Sequence, residues 1–201
     1  MPRHKKEDRN QIVLETRALI LEAAANEFAI HGFAGANVNR IAEAAGFSIG
    51  TVYNYFPSKR DLMFGFIKDT GSLHIDFIVT RVMQADTPSH RLEVLFQAGF
   101  DFEESNVIPS KAIFNALNGP DLEFREYVNL TYQPLFQLVS SEIISPGITQ
   151  GEFRPVNPRR TAQLIMLIYL GTGSQLSPEG KLWASAAEVA DFVLNALLLM
   201  K

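Results

Sequence analysis

Apolar residues recur at spacings of three and four along most of the chain, which is the spacing of one face of an α-helix. The first such stripe holds Ile20, Ala23, Ala24 and Phe28, and it stops at Gly32, a residue suited to a left-handed helix cap. No segment alternates apolar and polar residues over more than a few positions, as a half-buried strand would. The pattern therefore predicts an all-α protein of about nine helices.

Two further short helices are predicted directly after the first. Asn37 is a good helix N-cap, and the apolar positions behind it repeat as far as Gly46. Ser48 caps a third helix of about two turns, which ends before Pro57. Because only Gly46 and Phe47 separate helices two and three, these helices must cross steeply. This is the helix-turn-helix pattern, whose second helix fits a DNA major groove about 12 Å wide.

The remaining helices are predicted to be longer. Ser58 caps a fourth helix that is expected to reach Gln84, and Pro134 should kink or divide a later one. The other predicted helices cover residues 90–105, 110–117, 122–144, 158–170 and 182–200.

Composition and charge favour a folded protein without strong bulk attraction to nucleic acid. The 201 residues are 47% apolar and 20% charged, and the net charge is −4. Residues 1–70 carry nine basic and eight acidic residues, whereas residues 71–201 carry nine basic and fourteen acidic ones. This balance still allows nucleic-acid binding at one end of the molecule.

The residues needed for several kinds of chemistry are missing from the sequence. The absence of cysteine excludes disulfides, thiol nucleophiles, cysteine-ligated zinc and iron–sulfur clusters. The four histidines lack metal-ligand spacing, and there is neither a phosphate-binding glycine loop nor a nucleophile elbow. We therefore expect no enzymatic activity, no cofactor and no metal. No apolar run approaches the roughly 20 residues of a membrane span, so we expect a soluble, cytoplasmic protein without a membrane partner.

The predicted third helix has an exposed face without carboxylates, which suits a surface that meets phosphates. Hydroxyl groups and one lysine there can bind phosphate oxygens, and two other side chains can contact base edges. The candidate phosphate contacts are Thr51, Tyr53, Tyr55 and Lys59, and the candidate base contacts are Ile49 and Asn54, with Gly50 allowing close approach. The alternative is that Tyr53, Tyr55 and Phe56 pack the small three-helix core.

The segment from Ile20 to Leu62, ILEAAANEFAIHGFAGANVNRIAEAAGFSIGTVYNYFPSKRDL, strongly resembles the TetR family of bacterial transcriptional regulators. The shared features are a first helix that ends in Phe and Gly, then IAxxAG, a small N-cap residue, GTxYxxF, and a Lys before Asp and Leu. The resemblance implies base or phosphate contacts from Asn39, Ser48, Ile49, Gly50, Thr51 and Asn54, and phosphate contacts from Asn37, Tyr53, Tyr55 and Lys59.

The resemblance also implies a domain organisation. We expect a flexible charged tail over residues 1–10, a helix-turn-helix DNA-binding domain over 11–57, and a regulatory ligand-binding and dimerisation domain over 58–201. The last two helices are apolar on nearly every side, and in this family such helices pair with those of a second copy. The candidate dimer-interface residues are Leu164, Leu167, Ile168, Val189, Phe192, Val193 and Leu197. The alternative is that both helices are internal core helices of a monomer.

The aromatic-rich middle of the chain is a candidate ligand cavity, although most of its rings are expected to form core. A few polar residues there are candidates for orienting a ligand. The alternative is that these side chains are simply exposed or hydrogen-bonded within the protein. The candidate lining residues are His74, Phe77, Phe100, Asp101, Phe114, Asn118, Tyr132 and Phe136.

Together these features predict a ligand-responsive transcriptional regulator. We expect a repressor that binds a double-stranded DNA operator as a homodimer and is released by a small, largely apolar effector. An activator fits the sequence as well. The alternative class is a helical carrier or sensor of apolar small molecules without specific DNA binding.

Overall fold

The computed structural model describes residues 3–177 and 179–199, and these residues are mostly helical. Within them the only strand-like feature is an isolated antiparallel bridge between Phe153 and Leu198, so the all-α expectation is confirmed. The helices are α1 (Arg3–Gly35), α2 (Val38–Ala45), α3 (Ile49–Tyr55), α4 (Lys59–Val82), α5 (Pro88–Ser105), α6 (Val107–Asn118), α7 (Leu122–Thr131), α8 (Gln133–Leu138), a π-helical segment (Val139–Ile144), α9 (Ser145–Thr149), α10 (Pro158–Gly173) and α11 (Ala186–Leu197).

Helix α1 begins earlier than the expected first helix, and its helical backbone is interrupted at Gly32, where the sequence predicted its end. It begins at Arg3, so residues 3–10, which we expected to form a tail, are its first turns. Met1 and Pro2 lie outside the residues that the structure describes. At the other end the helix is kinked at Gly32, whose φ of 62° lies in the left-handed region that glycine adopts without strain.

Helices α2 and α3 follow the expected boundaries closely. Asn37 and Ser48 are their N-caps, and Gly46 ends α2 with a left-handed φ of 77°. The apolar residues Ile41 and Val52 are completely buried, which closes the corner between the two helices. The helix-turn-helix predicted from the caps is therefore present.

The expected helix over residues 122–144 is divided near Pro134, as the proline predicted. The chain bends after Thr131, and Pro134 lies in the first turn of α8, where its missing N–H costs no hydrogen bond. Helix α11 is also shorter than expected. Ser185 and Glu188 form a capping box at its start, and the expected end at Met200 lies outside the described residues.

The chain divides into two compact units. One holds the described residues up to Asp69 together with Lys111–Val128, and the other holds Thr70–Ser110 and the residues from Asn129 onwards. Segment 111–128, which we expected in the second domain, therefore groups with the helix-turn-helix. Within the described part of the chain, no helix is both long enough and apolar enough to cross a membrane.

Candidate functional site

The starts of α2 and α3 are closed by short-range hydrogen bonds. Ser48 Oγ accepts from the backbone N–H of Thr51 at 3.1 Å, and the two hydroxyl oxygens lie 2.9 Å apart. In α2, Asn37 Oδ1 accepts from the backbone N–H of Asn39 at 2.8 Å. These side-chain caps stabilise both helix starts and fix where each begins.

The surface of α3 opposite Val52 is open. Tyr53 is 42% exposed and Ile49 is 38% exposed, whereas Val52 and Phe56 are buried. Among the other candidate contacts, Asn37, Asn39, Ser48, Gly50 and Asn54 are exposed, and Thr51, Tyr55 and Lys59 are half-buried. The α3 surface therefore presents hydroxyl, amide and apolar groups without a carboxylate.

Lys59 has a structural role beside its candidate phosphate contact. Its ammonium donates to the carbonyl oxygens of Ala36 at 2.9 Å and Ala34 at 3.3 Å, and it lies 4.8 Å from the centroid of the Phe33 ring. An ammonium has three N–H groups, so one donor remains for a phosphate. A substitution of Lys59 therefore disturbs the connection between α1 and α2 as well as any contact with DNA.

Glu27 on α1 is a residue that we did not single out from the sequence. Its Oε1 accepts from the backbone N–H of Asn37 at 2.8 Å and from Arg40 Nε at 2.9 Å. Burial alone would raise the pKa of Glu27, but the hydrogen bonds from Arg40 and Asn37 outweigh it and lower the pKa. Glu27 thus ties α1 to the start of α2. The sequence did contain a signal for this burial. Glu27 follows Ala24 by three residues and Ala23 by four, which places it on the apolar stripe of the helix.

A second charge cluster ties α4 to α7 within the first unit. Arg60 donates to Asp121 Oδ2 at 2.8 Å and also to Glu123, and its guanidinium carbon lies 4.7 Å from the centroid of the Phe124 ring. The hydrogen bond from Arg60 lowers the pKa of Asp121. These contacts explain in part why segment 111–128 belongs to the same unit as the DNA-binding helices.

The eight candidate pocket residues are not gathered in one place. In the second unit, His74, Phe100 and Tyr132 are buried, Phe77 and Phe136 are half-buried, and Asp101 is exposed. Phe114 and Asn118 belong to the first unit, where Phe114 is buried and Asn118 is exposed. The three buried residues of the second unit are therefore the ones that lie within a shared core.

His74 and Tyr132 belong to a buried polar cluster in that core. His74 Nδ1 lies 3.0 Å from the Tyr132 hydroxyl, and Nε2 lies 2.8 Å from the Tyr169 hydroxyl. The imidazole stacks on the Phe102 ring, with centroids 4.3 Å apart. Burial lowers the pKa of His74 to about 4, so the ring is neutral at pH 7. One tyrosine hydroxyl must then donate to the ring and the other must accept from it.

Glu103 on α5 lies beside this cluster and was also missed. Its side chain is buried, and neither carboxylate oxygen has a hydrogen-bond partner among the described residues. Burial raises the pKa of Glu103 to about 8, against a smaller opposing effect of the Tyr169 hydroxyl. Glu103 follows Phe96 by seven residues and Gly99 by four, so helical spacing places it on the buried stripe of α5.

The candidate dimer-interface residues fall on two different faces. Val189, Val193 and Leu197 are buried within the chain, where α11 packs against α5. A buried side chain has no surface left for a partner, so these three are not available to a second copy. The accessible members are Leu164, Leu167 and Phe192, which are 62%, 66% and 67% exposed, and Ile168, which is half-buried.

The segment that carries the α3 surface matches a known family model. Residues 20–65 match the model of bacterial regulatory proteins, tetR family. The chain is also 27% identical over 140 residues to an HTH-type transcriptional regulator of Staphylococcus aureus strain USA300. That alignment covers 70% of this chain and 74% of the relative.

Two solved structures are similar in fold. FadR from Bacillus subtilis in complex with stearoyl-CoA has a TM-score of 0.76 and 21% identity, covering 90% of this chain and 97% of FadR. AibR in complex with isovaleryl coenzyme A and operator DNA has a TM-score of 0.73 and 21% identity, covering 91% of this chain and 98% of AibR. At this identity the likeness concerns the arrangement of helices.

Proposed function

Because the chain belongs to the tetR family of bacterial regulatory proteins, we propose that it is a repressor that binds a pseudo-palindromic operator as a homodimer. A small, largely apolar effector releases it from DNA. Membership of the family makes the chain a DNA-binding regulator of transcription. The proposal goes further on four points: the sign of regulation, the pairing of subunits, the class of effector and the residues that contact DNA.

The observation that carries the proposal is the open, carboxylate-free surface of α3. Tyr53 and Tyr55 have hydroxyl groups that can donate to phosphate oxygens, and Asn54 can bind the edge of an adenine in the major groove. Ile49 provides an exposed apolar group for a thymine methyl. A carboxylate on this surface would repel the phosphates, and none is present from Ser48 to Tyr55.

The exposed apolar residues of α10 and α11 support pairing with a second copy. Leu164, Leu167 and Phe192 are large side chains that remain exposed while the opposite side of α11 is buried. Pairing of the two helices with their symmetry mates would form a four-helix bundle. A two-fold dimer also suits a pseudo-palindromic site, because its two recognition helices bind half-sites about 34 to 36 Å apart.

The effector is expected to bind in the second unit, which carries most of the buried aromatic rings of the regulatory region. FadR and AibR hold acyl-CoA ligands, which makes acyl-CoA one class to test. An effector lowers DNA affinity only by as much as it prefers the conformation that does not bind DNA.

The experiment is the capture of operator DNA by the full chain. The purified protein is incubated with fragmented genomic DNA from its source, and the retained fragments are sequenced. The test variant is Tyr53→Ala with Asn54→Ala, two exposed α3 residues. Each lost phosphate or base contact should weaken binding by about tenfold, or roughly 1.4 kcal/mol.

The matched control is Leu19→Ala with Asn26→Ala, which removes two exposed side chains from α1. Enrichment of one palindromic site by the wild type and the control, but not by the α3 variant, supports the proposal. Equal recovery by all three proteins would contradict DNA reading by α3. The absence of any enriched site would favour the carrier alternative. Placing the recovered site before a reporter gene distinguishes a repressor from an activator, because loss of a repressor raises expression of the reporter.

A further inference from the structure

The unpartnered carboxyl group of Glu103 is the strongest sign of a ligand site in the second unit. The residue is 1% exposed, and both side-chain oxygens are buried without a hydrogen-bond partner. Buried polar groups are nearly always hydrogen-bonded, because an unpaired one lowers the stability of the folded protein and an unpaired charge lowers it further. A carboxyl retained at such a position needs a reason that packing does not supply.

The two tyrosine hydroxyls that interact with Glu103 share His74 as a partner. The two ring nitrogens of His74 face the hydroxyls of Tyr132 and Tyr169, at 3.0 and 2.8 Å. This network spans α4, the residue before α8, and α10. It satisfies the imidazole. The single proton of the Tyr169 hydroxyl can serve at most one acceptor, so the carboxyl of Glu103 keeps at least one oxygen without a donor.

The backbone of α10 is shaped to admit this carboxyl. A Cβ atom on Gly173 would lie 2.5 Å from both carboxylate oxygens, which is closer than atoms can approach. Only a glycine at position 173 therefore leaves room for the carboxyl group in its observed place. Any larger residue would displace it.

Aromatic rings surround the same place. The Tyr169 ring lies 5.9 Å from the Phe100 ring and 6.3 Å from the Phe96 ring, measured between centroids. Phe102, next to Glu103 in the chain, stacks on His74. Aromatic faces attract cations, and two free carboxylate oxygens accept hydrogen bonds from an ammonium group.

We propose that Glu103 binds the ammonium group of an effector, an aliphatic or aromatic amine whose apolar body packs among the rings of the second unit. The inference rests on the proposed function, since it names the class of molecule that the regulator senses. An ammonium group supplies donors to both oxygens at once. The thioester carbonyl of an acyl-CoA has no donor, so it cannot pair with the ionised carboxylate of Glu103.

The protonation state of Glu103 supports a response to cations. Burial raises the pKa of this carboxyl to about 8, so the carboxyl is mostly neutral at pH 7. An ammonium ion that pairs with the carboxylate releases this proton. The titratable groups that interact with Glu103 are Tyr132 and Tyr169, whose pKa values are raised by burial. His74, which lies between the two hydroxyls, is neutral above about pH 4. Only Glu103 therefore titrates in this cluster between pH 6.5 and 8.

Calorimetric titration of the full chain with defined probes tests the proposal. The probes are butyl-, hexyl-, octyl- and benzylammonium chloride, the neutral match 1-octanol, and isovaleryl-CoA and stearoyl-CoA. We expect at least one ammonium ion to bind at least tenfold more tightly than 1-octanol. Its affinity should rise by up to about tenfold per pH unit between pH 6.5 and 8, because one proton is released.

Glu103→Gln keeps the shape of the side chain and removes its charge. It should lower the affinity for the ammonium ion at least tenfold and remove the pH dependence, while 1-octanol binding stays the same. The control is Glu93→Gln, which removes an exposed carboxylate from the same helix. Glu93 also lines a surface groove with Asp191, so a loss of amine binding in this variant alone would place the amine in that groove and overturn the proposal.

Three other results would also overturn it. They are unchanged amine affinity in Glu103→Gln, tighter binding of either acyl-CoA than of every amine, and no heat or thermal stabilisation with any of the ammonium ions. None of these measurements uses DNA. Failure to capture an operator with ligand-free protein would count against the proposed function, whereas failure to bind amines counts only against the role of Glu103.

Discussion

On α3 the polar side chains lie outside and bond to near neighbours in the sequence, whereas in the His74 cluster of the second unit they lie inside and meet across long stretches of chain. Ser48 and Thr51 are three residues apart, but His74 and Tyr169 are 95 residues apart. The first arrangement needs only local sequence, while the second needs the completed fold. The surface of α3 is therefore specified by a short motif, and the buried cluster is specified by the packing of several helices.

The largest expected effect comes from the outer face of the second unit. Leu167→Glu with Phe192→Glu puts charges where we propose that two copies meet, so the protein should become monomeric in analytical ultracentrifugation at micromolar concentration. Operator affinity should fall more than about 100-fold, because the two half-sites are no longer bound together. Leu130→Glu is the control, since this leucine is 64% exposed on α7. A double variant that stays dimeric would contradict the proposed interface.

A smaller effect is expected from Glu27, a buried carboxylate that ties α1 to the start of α2. Glu27→Gln should lower the free energy of unfolding by about 2 to 3 kcal/mol in urea titrations at pH 7. The folded pKa of Glu27 is below 4.5, so its contribution is complete above pH 4.5 and disappears as the pH falls through the folded value. Glu22→Gln on the exposed side of α1 should change little. Equal effects of the two substitutions on the free energy of unfolding would mean that the buried contacts of Glu27 do not stabilise the protein.

The second unit should respond to pH in the opposite sense. The folded protein keeps a proton on Glu103 that the unfolded chain releases above about pH 4.5, so stability falls as the pH rises towards about 8. His74 acts in the other direction, but only below pH 6.5, because there the unfolded chain binds the proton first. Between pH 6.5 and 8 the stability difference between Glu103→Gln and the wild type should grow by up to about 1.4 kcal/mol per pH unit. Parallel profiles for the two proteins would show that Glu103 does not hold this proton.

The smallest effect concerns salt. Arg40 is paired with Glu27, and Lys59 donates to two backbone carbonyls, so few free cations remain near α3. The logarithm of operator affinity should fall with the logarithm of salt concentration with a slope no steeper than about −4 for the dimer, at about −0.9 per phosphate neutralised. Exchanging Arg3, Lys5 and Lys6 for glutamine should make the slope shallower. An unchanged slope would show that the start of α1 does not contact DNA.

Local signals predicted the helix-turn-helix well, because caps and glycines act over two to four residues. Asn37, Gly46 and Ser48 end or begin their helices where the sequence indicated. The region around residues 132–149 could not be predicted in this way. Pro134 indicated a break, but the change from α8 to a π-helical segment depends on packing against α5 and α10, which no local pattern describes.

The candidate site shows the same limit at the level of single residues. The exposed surface of α3 follows from its apolar stripe, because Val52 identifies the buried side of the helix. The pairing of His74 with two tyrosines does not follow from any spacing, since its partners are 58 and 95 residues away. The burial of Glu103 was not predicted for a different reason. Its position on an apolar stripe was visible, but a charged residue there is ordinarily exposed.

The proposed pairing through the exposed residues Leu164, Leu167 and Phe192 would make gene dosage part of the regulation. With the proposed pairing, protein made at a level below the dissociation constant of the dimer is mostly single subunits, and the amount of dimer then follows the square of the amount of protein. A twofold rise in expression would raise the dimer about fourfold. The strength of the gene's own promoter would therefore set how sharply the target genes are switched, even at a constant level of effector.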